Sequence, residues 1–296
     1  MNFSSICDIS IINSYSKEKE AFIKLFSDGI LEDNKRWDEI IYSNTIENID
    51  KNINTPVKKR MSQMSCGIFY VMEEGAGKNL LTDEEIYLFT SFGEIDTTDK
   101  IIKSITIDKM SLVSPTHFHN SVHNTPLGYY TIIKKLHNYC GTISDGVLTG
   151  ISFINFIKNR VKLDGTFVVT SGEEYSPFLD MDTVEPKKIK PSFISYRIIP
   201  NQDKGFRYLG SFKNLDEIKS INEYKNAKYI LTDKILFDEM YKSKSDKIIL
   251  SEYPIVLDNP CGVIFRLALP FYLSFNENSL VLERNGINIE VFEVKN

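Results

Sequence analysis

Apolar and polar positions along the 296-residue chain keep two different periods. Spacings of three and four, which line up side chains on one face of a helix, run loosely through Ser16 to Phe26 and Arg36 to Ile46. They run strongly through KKRMSQMSCGIFYVMEEG, where Met61, Met64, Cys66, Phe69 and Met72 share a side and Gly75 or Gly77 is placed to stop the helix. EEIYLFTSFGEI reads as a buried strand from Ile86 to Ser91 with a turn at Gly93, and Thr98 to Ile105 as a further helix. TPLGYYTIIKKL and SDGVLTGISFINFIKNR predict two helices around a short segment at Tyr139 to Ile143. GTFVVTSGEE, Gly165 to Glu174, predicts an apolar strand entering an acidic turn.

VEPKKIKP, Val184 to Pro191, is a charged, proline-bounded crossing at the midpoint of the fold. Beyond it, strands are expected near Phe193 to Ile199, Tyr229 to Leu231 and Ile248 to Leu250, with helices between them. SLVLERNGINIEVFEV closes the chain as a hairpin turning at Asn285-Gly286. Helices alternating with buried strands predict a layered α/β fold, and no tandem repeat of 20 to 50 residues is visible.

Composition narrows the function classes. With 42% hydrophobic and 25% charged residues, the chain can bury a large core as one large domain or two small ones. Lysine and glutamate are interspersed around a net charge of −5, and the basic runs Lys58 to Arg60 and Lys187 to Lys190 are short and lack aromatic neighbours. That pattern argues against a nucleic-acid partner. GVIFRLALPFYLSF, the best candidate for a membrane span, is interrupted by Arg266 and Pro270, and the first twenty residues do not read as a signal peptide. A cytoplasmic location is expected. Cys7, Cys66, Cys140 and Cys261 form no C-x-x-C pair and are expected as reduced, mostly buried thiols.

SPTHFHNSVHN holds three of the four histidines, His117, His119 and His123. His119 and His123 would share a helical face and His117 and His119 a strand face, so no single regular element gathers all three as metal ligands. A loop between Pro115 and Pro126 could still do so, and metal binding stays an alternative to surface histidines at a loop-to-helix junction. EEGAGKN lacks the spacing and the Ser or Thr of a phosphate loop. Glu173 and Glu174, adjacent on a strand, point to opposite faces and do not suit a cooperating acid and base.

Taken in order, KKRMSQMS, LFTSFGEI, SPTHFHNSVHNTPLGYYTI, GTISDGVLTG and VVTSGEEYSP resemble the N-terminal region of β-ketoacyl synthases, over about Lys58 to Pro177. The pattern Ser114, Pro115, Phe118, Ser121, Val122, His123, Asn124 and Gly128 is similar to the divergent subgroup of aryl-polyene-type ketosynthases and chain length factors. The resemblance implies a thiolase-like α/β/α/β/α fold in one domain, residues 1–296, made of two pseudo-equivalent halves, about 1–185 and 186–296, the second shortened. It also implies that Asn124 and Gly128 open a scaffold helix.

The family attacks its substrate with a cysteine at a strand-to-helix turn, whose helix N-terminus and backbone amides activate the thiol and bind the oxyanion. Matching GTISDG to that turn puts Ile143 at the nucleophile position, with Ser144 beside it and Cys140 three residues early. The family's two histidines, or histidine and asparagine, come from the second half. No histidine follows His137 here, DNPCGVIFRLALPF carries no imidazole, and RNGIN replaces a Gly-Phe-Gly-Gly-like turn. The implied protein is a catalytically incompetent, chain-length-factor-like subunit of fatty-acid or polyene-type biosynthesis. It would need no cofactor and would pair with a ketosynthase or with itself, an acyl carrier protein being a further partner. The alternatives are an acyltransferase or thioesterase using Cys140 or Ser144, and a metal-binding protein using His117, His119 and His123.

Overall fold

FSSICDISIIN forms β1 (Phe3–Asn13), a strand in which Ile6, Ile11 and Ile12 are buried. Its alternation slips between Cys7 and Ser10, where Asp8 takes a positive φ of 52° and the register against its neighbour shifts. This bulge hides the period of two in the sequence. The computed structural model describes residues 2–13, 20, 46–47, 49–50, 53, 56–107, 113–174, 191–242, 247–251 and 259–295. The helices expected at Ser16 to Phe26 and Arg36 to Ile46 and the crossing at Val184 to Pro191 lie almost wholly outside these.

Helix α1 (Gln63–Glu74) begins at Ser62, whose hydroxyl accepts from the Ser65 N–H, and ends at Gly75 as its sequence predicts. Then follow β2 (Glu85–Phe89), α2 (Ile95–Thr106), α3 (Pro115–Asn120), α4 (Thr125–Lys134), β3 (Cys140–Ile143) and α5 (Thr149–Arg160). Strand β4 (Phe167–Glu173) leads to β5 (Ser192–Gln202) and β6 (Gly205–Phe212). The second part adds α6 (Leu215–Ser220), α7 (Asn222–Asn226), β7 (Tyr229–Thr232), α8 (Lys234–Lys242), β8 (Ile248–Ser251), α9 (Gly262–Tyr272), β9 (Ser279–Asn285) and β10 (Asn288–Lys295). The segment expected only as a spacer between two helices is β3. The sequence pattern also missed β6, in which Gly205 and Gly210 carry positive φ and interrupt the apolar run. The final hairpin turns through Gly286 and Ile287, with Gly286 at φ 59° and Asn285 paired to Asn288.

The strands lie in the order β3-β2-β4-β5-β1-β6-β10-β9-β7-β8. Within β1–β5 the order is third, second, fourth, fifth, first; read from its far end, β6–β10 repeats it. The orientations repeat too. β2 is parallel to β3 and β4, and β5 is antiparallel to β4 and β1, just as β7 is parallel to β8 and β9, and β10 antiparallel to β9 and β6. One bridge, Ser4 to Phe206, joins the two five-stranded sheets. The second repeat is shorter because three of its four connections are: residues 213–228, for example, join β6 to β7, against 14–84 between β1 and β2.

Alternation along the strands sorts the core. Ile86, Leu88, Val168 and Phe193 pack with α1 on one face of the first sheet, while Phe89, Phe167, Val169, Ile194 and Tyr196 face α5 and α9 on the other. Helix α9 buries nearly every residue from Gly262 to Tyr272, Phe271 being half-buried, as a helix between two sheets must. It packs on α5 as well as on β1 and β9. The result is the thiolase-like α/β layering, with α5 and α9 as the middle layer. Among the described residues no helix is long and apolar enough to cross a membrane.

Candidate functional site

The N-termini of α5 and α9 meet. A Cβ on Gly150 would lie 2.6 Å from the carbonyl oxygen of Pro260, so only glycine lets the two first turns approach this closely. Above them runs the loop that leaves β2, and beside it the end of β4.

Glu173, fully buried, fills the centre. Its Oε1 accepts from the Ser91 N–H and, at 3.2 Å, from the Thr90 hydroxyl, and its Oε2 accepts from the Phe92 N–H at 3.2 Å. Burial pushes its carboxyl up to about 7 in spite of these donors. Cys261, at the N-cap of α9, places Sγ 3.5 Å from Glu173 Oε1 and 3.4 Å from Ser91 Oγ. A helix N-terminus ordinarily favours a thiolate. Here burial, and after it the neighbouring Glu173 charge, push the thiol well above its ordinary value, so Cys261 is a protonated donor at neutral pH. Asn259 accepts from the Cys261 N–H at 2.7 Å and donates to Ser192 Oγ at 2.9 Å, holding that turn.

A second buried pair adjoins. Glu94 accepts from the hydroxyls of Ser62, Ser65 and Thr97 at 2.6, 2.9 and 3.4 Å, and burial raises it to about 7. Glu174 accepts from the N–H groups of Met64 and Asp96 at 3.3 and 3.1 Å, and burial and then the Glu94 charge raise it well above the usual carboxylate range. Adjacent Glu173 and Glu174 therefore serve different environments, as strand alternation requires. Together they tie α1, α2 and the β2 loop to the end of β4.

The sequence candidates divide in space. Ile143 is the last residue of β3, half-buried against the main core, with its carbonyl accepting from the Thr90 N–H at 3.2 Å. Ser144 follows it into the turn and donates to the Ser91 carbonyl at 3.2 Å, which puts it on the rim of the Glu173 site. It does not cap α5: the turn is closed by Thr149, whose hydroxyl accepts from the Asp145 N–H at 2.9 Å. Cys140 starts β3, about 13 Å of strand away from Ser144, and burial raises its thiol.

The histidine cluster comes apart. His117 is exposed, and the His119 ring meets Tyr129 edge-on at 5.6 Å. The His123 ring lies against Gly93, where a Cβ would fall 1.8 Å from its Nδ1. Among the described residues no group of three or more His, Cys, Asp or Glu side chains is placed to hold a metal ion, and His117, His119 and His123 are not gathered as ligands. Ser114 and Asn124 instead stand at the N-caps of α3 and α4, Pro115 sits in the first turn of α3, and Gly128 donates its N–H to the Asn124 carbonyl at 3.0 Å. Ser121 Oγ donates to the carbonyl of exposed Phe118 at 2.8 Å, and Val122 is exposed. Sequence reasoning passed over Ser91, Asn259 and Cys261. The one available signal was a glutamate pair at the end of a strand that opens on Phe167, Val168 and Val169, with no cation near it in sequence.

Residues 39–149 match the family model described as Beta-ketoacyl synthase, N-terminal domain. No curated protein matches the sequence. Among solved structures, the ishigamide ketosynthase/chain length factor is similar over 99% of both chains, with a TM-score of 0.69 and 12% identity. The complex of the ketosynthase ApeO with its chain length factor ApeC from Xenorhabdus doucetiae gives 0.61 and 12%, again over 99% of both chains. A beta-ketoacyl synthase from Burkholderia phymatum gives 0.64 and 10% over 100% of both. At such identities the likeness is one of fold. Residues 39–149 thus match the beta-ketoacyl synthase N-terminal domain, in a chain that has the thiolase-like fold of ketosynthases and chain length factors throughout.

Proposed function

We propose that the protein is a chain-length-factor-like subunit, without ketosynthase chemistry of its own, that pairs with an active ketosynthase in a fatty-acid or polyene-type pathway. The observation that carries this reading is the content of the two helix starts. At the end of β3, where ketosynthases place their cysteine, stand Ile143 and Ser144; at the start of α9 stand Asn259 and Cys261, with no imidazole. Cys261 is protonated and enclosed by Glu173 and Ser91, so it cannot take up an acyl group as a thiolate. Ile143 then contributes an apolar wall.

The edge of the first sheet supports the pairing. Among the described residues β3 is its end strand, and it carries neither proline nor lysine to discourage a further strand. Tyr139, Val147 and Leu148 flank it as exposed large apolar residues. The carbonyls of Tyr139 and Ile143 accept from β2, so by the period of two Cys140 and Thr142 present their backbone groups outward. A ketosynthase edge strand can add there. The acyl carrier protein would then deliver its chain to the partner's cysteine. Four free thiols suit the reducing cytoplasm.

Incubation with an octanoyl thioester followed by intact-mass measurement tests the missing chemistry. The expected result is an unmodified chain. A covalent acyl adduct mapped to Cys140, Ser144 or Cys261 would replace this reading with acyl transfer.

A further inference from the structure

A cavity of about 340 Å³ opens at the far end of α5, about 18 Å along the helix from the Glu173 site. One side of it is apolar, with Ile157 from α5, Val161 just past its end, Phe206 and Tyr208 from β6 and Phe292 from β10, while Asn2, Ser4 and Asn201 add uncharged polar groups. Three cations line it, Lys158, Lys162 and Arg207, and no carboxylate does. Two of the cations are already neutralised from behind. Arg207 donates Nε to Glu293 at 2.6 Å and Nη2 to Glu223 at 3.2 Å. Lys158 lies 3.6 Å from Glu290, with its ammonium 4.3 Å from the centre of the Tyr208 ring. Lys162 is different: its bond is to the amide oxygen of Asn159 at 3.4 Å, and it has no carboxylate partner among the described residues.

We propose that this cavity is a binding site for a small amphiphilic monoanion, a medium-chain carboxylate. One uncompensated ammonium at the rim sets the ligand charge at one. The apolar side of the cavity suits a hydrocarbon body, which free phosphate lacks. At about 30 Å³ per heavy atom, the share of one water in the liquid, the cavity holds about eleven heavy atoms, and octanoate has ten. The size is at the small end of ligand pockets. The site is built by the meeting of the two repeats, since β1, β6 and β10 all contribute to it, and it does not depend on whether the protein pairs with a ketosynthase.

Titration of the full chain with octanoate, followed by NMR shifts and calorimetry, tests the proposal against octanol and inorganic phosphate. The expected result is one saturable octanoate site, at least fivefold weaker affinity for octanol, and no saturation by phosphate. Val161→Trp, which fills the cavity, abolishes binding, and Lys162→Glu, at an exposed position, weakens it at least fivefold. Undiminished binding in Val161→Trp would put octanoate elsewhere and overturn the proposal, as would equal affinity for octanol or no saturation of the folded protein at millimolar octanoate. If Val161→Trp does not fold, Lys162→Glu decides: unchanged octanoate affinity overturns the assignment.

Discussion

Glu94 exchanges water for three hydroxyls, those of Ser62, Ser65 and Thr97, with Glu174 and Asp96 as its charged neighbours. An ordinary glutamate titrates near 4.5 and this one near 7 in the folded chain. Between those values the folded state binds more protons than the unfolded one, so stability falls as pH rises through the window, and the loss is complete above about 7. Glu173, also raised to about 7, adds a slope of the same sign. Urea unfolding should therefore give a higher midpoint at pH 5 than at pH 8. Glu94→Gln should shrink that difference, because hydroxyl partners can turn to donate or accept and tolerate the amide; an unchanged pH slope would contradict the assignment. Cys261 supplies a second check at this scale. In the native protein it should resist maleimide while labelling fully in urea, and rapid native labelling would mean that the Glu173 enclosure opens. The sequence announced neither group: Glu94 stands in an ordinary polar turn, and the Cys261 thiol is raised by burial and then by the charge of Glu173, which is distant in sequence.

Two glycines separate helix identity from helix packing. A Cβ on Gly128 in α4 meets nothing within 4 Å, so Gly128→Ala should stabilise the fold by about 0.4–1 kcal/mol through loss of unfolded-chain entropy. Gly150→Ala gains the same helix preference but drives its methyl into the Pro260 carbonyl, and should cost about 1–3 kcal/mol. Thermal or urea unfolding of the pair checks the sign of each. Equal effects would contradict the contact between the first turns of α5 and α9. Elements with an unbroken period were legible beforehand: α1, α5, β4 and the closing hairpin. Those that were not have local causes. The Asp8 bulge breaks the alternation of β1, glycines dilute β6, and β3, at four residues, is too short to show any period.

At the scale of the molecule, the repeat of strand order across β1–β5 and β6–β10 left no trace as a sequence repeat, because a strand topology constrains which positions are apolar and not which residues fill them. What made the fold legible was the ordered motif set before Pro177, and the comparisons agree with it where they match, over residues 39–149. The proposed partner rests on two features of the described residues: a sheet whose end strand is short and carries neither proline nor lysine, and a pair of helix starts without an imidazole. Thr142→Pro should remove an outward N–H of β3 while leaving its bonds to β2, and so weaken pairing without unfolding the chain. The most direct measurement is native mass spectrometry after co-expression with the ketosynthase encoded nearest to it. The account predicts a one-to-one complex that Thr142→Pro dissociates; a chain that stays monomeric or pairs only with itself in the presence of that ketosynthase would contradict it.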